Sequence, residues 1–112
     1  MALRPDVLRY KQDFDRLYKS GRSSGDKYLV VFHLTNGLGF SRRAFLASKK
    51  VGGAVIRNRA RRLMKESFRK MEHDIKPGSD ILFIARSTIT GTGCAGVEAS
   101  MRKALTRSGL LQ

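Results

Sequence analysis

Gly53-Ala54-Val55-Ile56-Arg57-Asn58-Arg59-Ala60-Arg61-Arg62-Leu63-Met64-Lys65-Glu66-Ser67-Phe68-Arg69-Lys70-Met71 is the stretch on which the architecture of this chain turns. Its apolar members Ile56, Ala60, Leu63, Met64, Phe68 and Met71 recur at helical spacing and predict one amphipathic helix from Gly53 to Met71. Stepping about 100° per residue from Ile56, the residues Ala60, Leu63, Ser67 and Met71 cluster on one side, and Asn58, Arg62, Lys65 and Arg69 fall opposite. Arg61 joins the outer face, while Arg57 and Arg59 sit on its shoulders.

Working outward toward the N-terminus, Phe40 to Ser48 reads as a strand, and Asn36-Gly37 reads as a turn that makes it the antiparallel partner of Lys27 to Leu34. That earlier strand alternates, with Tyr28, Val30, Phe32 and Leu34 on one side and Leu29, Val31 and His33 on the other. Tyr10, Phe14, Leu17, Tyr18 and Gly21 follow the spacing of one helix face, with Gly21 ending the helix. Toward the C-terminus, Pro77-Gly78 marks a turn and Ile81 to Ala85 a short strand buried on both faces. Thr88 to Gly96 reads as a small-residue loop, and a last helix buries Val97, Met101, Ala104 and Leu105. The predicted fold is a single-domain α+β sandwich over residues 1–112, ordered α-β-β-β-α-β-α, with helices on a four-stranded, mainly antiparallel sheet. Residues 1–8 are expected to form a flexible leading segment.

With 23 Lys+Arg against 9 Asp+Glu, the 112-residue chain carries a formal net charge of +14. A field of that sign draws in polyanions, and nucleic acid comes before any acidic small molecule. The longest apolar runs, Tyr28 to Phe32 and Ile81 to Ala85, are far too short to span a bilayer. The N-terminus has no apolar stretch of the secretory kind, and Cys94 has no intramolecular disulfide partner, so a cytoplasmic location is expected, with no membrane or protein partner.

Solvated helices usually mix charge signs at i, i+4. Here Arg57–Arg61, Arg61–Lys65 and Lys65–Arg69 repel, each at about 0.2–0.5 kcal/mol, and only Arg62–Glu66 and Glu66–Lys70 oppose them. Lys49, Lys50, Arg57 and Arg59 crowd the N-terminal end, where the helix dipole disfavours each cation by roughly 0.3–1 kcal/mol. A local rule broken this way marks a functional surface: phosphates docking there meet both the cations and the free amides of the first turn.

Catalytic constellations are hard to find. Asp13 and Asp15 project to opposite sides of the first helix, and His33 and His73 lie on different elements, so neither pair is suited to metal or acid–base work. Cys94, without an adjacent base, reads as a plain small residue, and Gly52-Gly53 lacks the remainder of a nucleotide-binding loop. No catalytic residue is assigned.

The stretch Ser48-Lys49-Lys50-Val51-Gly52-Gly53-Ala54-Val55-Ile56-Arg57-Asn58-Arg59-Ala60-Arg61-Arg62 closely resembles the signature of the bacterial ribonuclease P protein component, whose core is an Arg-Asn-Arg triplet followed, after one residue, by two basic residues. Two positions depart from it: Gly53 stands where Asn is usual, and Ala44 where Gly is common. The resemblance implies that Arg57, Asn58, Arg59, Arg61 and Arg62 dock on ribonuclease P RNA with the help of Lys49 and Lys50, and Lys65 and Arg69 extend the same outer face. It also implies a cleft for the single-stranded 5′ leader of precursor tRNA, with Phe14, Tyr18 and Phe32 at the aromatic positions, and a left-handed βαβ crossover. Phosphodiester hydrolysis would belong to the RNA and its Mg²⁺ ions, with any metal ligands on the protein undefined. On residue pattern alone the three aromatics suit core burial better, and a basic ribosomal protein or a DNA-binding protein are the alternatives.

Overall fold

The apolar run Ile81–Ala85 needs cover on both faces, and it receives it at the centre of the sheet. The computed structural model describes residues 4–112. Along the chain run α1 (Lys11–Ser20), β1 (Arg22–Gly25), β2 (Leu29–Thr35), β3 (Arg42–Leu46), α2 (Ala54–Arg69), β4 (Ser79–Ala85) and α3 (Cys94–Arg107), with short 3-10 turns at Glu72–Asp74 and Ser87–Ile89. The strands are ordered β1-β2-β4-β3. The expected α-β-β-β-α-β-α order is therefore present; its first strand, β1, lies in a polar stretch that alternation alone does not single out.

One pairing differs from expectation. β3 does not lie against β2; it runs parallel to β4, which is inserted between them and pairs antiparallel with β2. Two causes favour this arrangement. β4 is apolar on both faces and suits a central place, whereas β3 carries Arg42 and Arg43 and suits an edge. Asn36 also does not make a two-residue hairpin: its Oδ1 accepts the Leu38 amide at 2.7 Å, and its Nδ2 donates to Phe40 O at 3.2 Å and to Asp80 Oδ1 at 3.0 Å, tying the loop to β4.

The sheet separates two cores. On one face Leu29, Val31, Ile81, Phe83 and Ala85 pack under α2 and α3, where the Phe45 and Phe83 rings stack at 5.1 Å and Phe68 meets both edge-on. All four apolar positions expected on α3 are buried. The other face is thinner: α1 and the segment before it cover Ala44 and Leu82 with Leu8 and Leu17, leaving Phe14, Phe32, Leu34, Leu46 and Ile84 partly exposed. The Ala44 methyl group, at the position where Gly is common, fits inside this small core.

The leading segment is tied down from Asp6 onward. Arg43 N–H donates to Asp6 O and Leu8 N–H to Arg43 O, both at 2.9 Å, and Leu8 is buried. Asp6 to Leu8, at the end of the expected leading segment, thereby satisfy polar groups that the β3 edge would otherwise leave open. Residues 1–3 lie outside the described residues. α2 ends at Arg69 with Lys70 as its cap, and its buried stripe begins at Ala60: Ile56 and Val55 remain exposed. Gly52 has φ +151°, and a Cβ there would meet the Ile56 side chain at 3.0 Å, so the strand-to-helix turn needs glycine at this point.

Candidate nucleic-acid interface

α2 packs against the sheet and α3 through Ala60, Met64, Ser67 and Phe68, which turns its cations away from the core. Asn58, Arg62, Lys65 and Arg69 are exposed, as are Lys49 and Lys50 in the turn leading into the helix; Arg57, Arg59 and Arg61 are half-buried. Of the half-buried three, Arg59 and Arg61 have local partners, whereas the buried Arg57 Nε has none. Arg59 Nη2 donates to Thr92 O at 2.8 Å, linking α2 to the loop before α3, and Arg61 donates to the Asn58 side chain. Glu66 pairs with Arg69 at 2.8 Å, and Lys70 reaches Glu98 on α3 at 3.4 Å; neither of the expected Arg62–Glu66 and Glu66–Lys70 pairs is made. The N-terminus of α2 has no side-chain cap and no acidic residue in its first turn, and Lys49 and Lys50 stand exposed in the turn that leads into it.

A cleft of about 480 Å³ lies along the outer edge of β3. Val7, Leu8, Phe14, Ala44 and Leu46 provide apolar wall, and Lys65 and Arg69 of α2 line it as well, so that α1 and the cationic helix face one space. Further along α1, the Tyr18 ring is half exposed and meets the Phe32 ring edge-on, centroids 5.4 Å apart at 71°. Full core burial, which residue pattern favoured for these aromatics, is not what α1 does: its buried residues are Leu17 and Asp13, while Tyr10 is exposed.

Asp13 belongs to a polar cluster that sequence reading missed. Its carboxylate accepts Arg16 Nη2 at 2.6 Å and lies 3.5 Å from Arg42 Nη2, whose guanidinium grips Asp80 at 2.8 and 2.6 Å. Arg42 and Asp80 are register partners on parallel strands, so the signal becomes visible only once β3 is paired with β4. The Asp80 hydrogen bond is the main cause holding the Arg42 pKa above its ordinary value.

The remaining candidates stay apart from this interface. His33, half-buried on β2, has its pKa lowered by burial and then by Arg22, which favours the neutral ring. His73 is exposed in a 3-10 turn. Cys94 begins α3, 3.7 Å from Ser67 Oγ and 3.8 Å from Lys70 Nζ. Among the described residues no three His, Cys, Asp or Glu side chains group as metal ligands, and no helix is long and apolar enough to cross a membrane.

A family model described as Ribonuclease P matches residues 3–109. A ribonuclease P protein component of Thermoanaerobacter sp. (strain X514) is 37% identical over 110 residues, covering 96% of this chain and 95% of the relative. That of Alkaliphilus metalliredigens is 42% identical over 94 residues, covering 84% and 85%. Among solved structures, the Staphylococcus aureus RNase P protein superposes with a TM-score of 0.87 at 27% identity, covering 97% of this chain and all of that one. The Thermotoga maritima RNase P protein does so with 0.81 at 30% identity, covering 90% and 96%.

Proposed function

The chain belongs to the ribonuclease P protein family, whose role is removal of the 5′ leader from precursor tRNA, and on that premise we propose a division of labour across its surface. The outer face of α2, through Arg57, Asn58, Arg61, Arg62, Lys65 and Arg69 with Lys49 and Lys50 beside it, binds ribonuclease P RNA. Phe14, Tyr18 and Phe32 receive the single-stranded leader of precursor tRNA. The observation that carries this reading is the half-exposed Tyr18–Phe32 pair on a thinly covered sheet face, one helical turn from Phe14, which lines a cleft together with Lys65 and Arg69. Ring faces stack on unpaired bases of any sequence while cations hold the phosphates, which suits a leader of variable sequence.

Arg59 serves the same end differently. With one guanidinium nitrogen committed to Thr92, it braces α2 against α3 and offers its remaining N–H groups to phosphate. Hydrolysis is assigned to the RNA partner. The Mg²⁺ ions the ribonucleoprotein uses are assigned mainly to RNA oxygens, whose hard anionic character suits them. The cytoplasm, where precursor tRNA is processed in bacteria, is the proposed site of action.

The test is reconstitution. Purified protein should leave precursor tRNA intact, and adding it to ribonuclease P RNA at low Mg²⁺ should restore leader removal. Cleavage by the protein alone that is lost in His33→Ala would overturn the division of labour, and failure to stimulate the RNA would overturn the assignment of partner.

A further inference from the structure

Beneath α1 lies a charged cluster that neither the cationic face nor the cleft uses. Asp13 and Asp80 are 4% and 3% exposed, yet both carry carboxylates. Between them Arg42 donates Nε and Nη2 to Asp80 at 2.8 and 2.6 Å, while its Nη2 lies 3.5 Å from Asp13 Oδ1. Arg16 and Asn36 fill further positions, at 2.6 Å on Asp13 and 3.0 Å on Asp80. Two guanidiniums face two carboxylates, so the cluster is internally neutral.

Buried ion pairs are a poor source of stability compared with well-packed apolar groups, and their best-attested use is to specify one geometry. α1 needs such a device. It buries only Leu17 besides Asp13, so apolar packing alone fixes neither its rotation nor its height on the sheet. A planar guanidinium held bidentate by β4 has a set direction, and α1 meets it through one residue. Phe14 follows Asp13 directly and Tyr18 comes one turn later, so whatever sets Asp13 also sets the Phe14 ring and the Tyr18 ring that meets Phe32 edge-on.

We propose that Arg42, gripped by Asp80 and reaching Asp13, is a positioning residue for leader binding that locks α1 at the angle where Phe14 and Tyr18 face the leader. This rests on the leader reading above. The experiment uses the reconstituted ribonucleoprotein with two precursor tRNAs, one with a long leader and one whose leader is a single nucleotide. Asp13→Ala, which leaves the Arg42–Asp80 grip in place, should raise KM for the long-leader substrate by about threefold to tenfold with kcat unchanged, and leave the short-leader substrate unaffected. Asp13→Asn, which returns an acceptor oxygen to the same place, should recover most of that loss; if the alanine variant does not fold, Asp13→Leu, close in size and without an acceptor, supplies the measurement with the same expected rise in KM. Equal changes for both substrates, or no change for either, would overturn the proposal. Tyr18→Ala is the control: if it abolishes leader dependence and the Asp13 variants do not, only the lock fails, whereas if Tyr18→Ala leaves leader dependence intact the leader reading fails and the lock with it.

Discussion

At the residue scale, the cations of α2 divide into those free to meet phosphate and those with a structural tie. Arg62 is exposed and Arg61 is tied only to Asn58 on the same helix, so replacing both with Ala should weaken RNA binding, lower the salt slope by roughly 0.7–0.9 per lost phosphate contact, and leave the melting temperature nearly unchanged. Arg59→Ala should behave differently. It removes the bond to Thr92 O and should cost about 1 kcal/mol of stability, with a smaller change in slope, measurable by denaturant titration beside a salt series. At Tyr18, half its surface is in solvent, so Tyr18→Ala should lower precursor tRNA affinity by about 1–3 kcal/mol while mature tRNA binding and melting temperature stay nearly constant. A large loss of stability instead would mean the ring is core. Sequence periodicity placed Asn58, Arg62, Lys65 and Arg69 on the exposed face of α2, as the structure does. It set Ile56 on the buried stripe and Arg61 on the outer face, whereas Ile56 is exposed and Arg61 half-buried. It could not assign Tyr18, because an aromatic on an apolar helix face has the same spacing whether the sheet below is fully or thinly covered. Nor could it find Asp13, whose burial depends on a partner two strands away.

At the element scale, the turn from β1 to β2 is clamped to α3. Ser100 Oγ donates to Asp26 Oδ2 at 2.9 Å, Arg107 Nη2 donates to Asp26 Oδ1 at 3.0 Å, and the Tyr28 amide donates to Ser100 Oγ at 3.2 Å. Burial raises the Asp26 pKa, but Ser100, the Lys27 amide and Arg107 together outweigh it and hold the group below its ordinary 3.8. A carboxylate lowered on folding stabilises fully above its unfolded pKa and ceases to do so as pH falls through the folded value. Asp26→Asn should therefore make the fall of melting temperature below pH 3.8 shallower, and an unchanged acid limb would remove this clamp from the account. A second element-level test lies at the start of α2. Gly53 caps the helix without a side chain, at φ −70°, in open space, so Gly53→Asn should add a few tenths of a kcal/mol by capping an amide, read by denaturant titration. α2, α3 and β4 were legible because their apolar pattern is decided within the element. The partner of β3 was not, since Asn36-Gly37 carries a hairpin signal locally and is overruled by Asp80, far along the chain. Gly21 was legible for an incomplete reason: it ends α1 at φ −75°, and glycine is required because a Cβ would collide with the Leu17 carbonyl and lie 3.0 Å from His33 O.

At the scale of the whole molecule, a charge of +14 on so small a body makes RNA association a counterion-release process, and holoenzyme assembly should weaken steeply as salt rises. The family assignment was legible because the basic signature and the order of elements survive in the sequence itself. The sheet order has a temporal consequence. β4, the strand on which both β2 and β3 depend, is next to last among the main elements to be synthesised. Until Ser79 to Ala85 exist, a growing chain can form at best α1, the small β1–β2 hairpin and a highly charged α2, none of which is stable alone in water. A nascent chain ending at Gly78 should show no cooperative melting and be cut readily by protease, whereas addition of β4 and α3 should bring the whole fold in one step. Maturation of this fold is therefore decided when Ser79 to Ala85 are translated, and until then its cationic helix is held by nothing but the solvent and whatever polyanion is near.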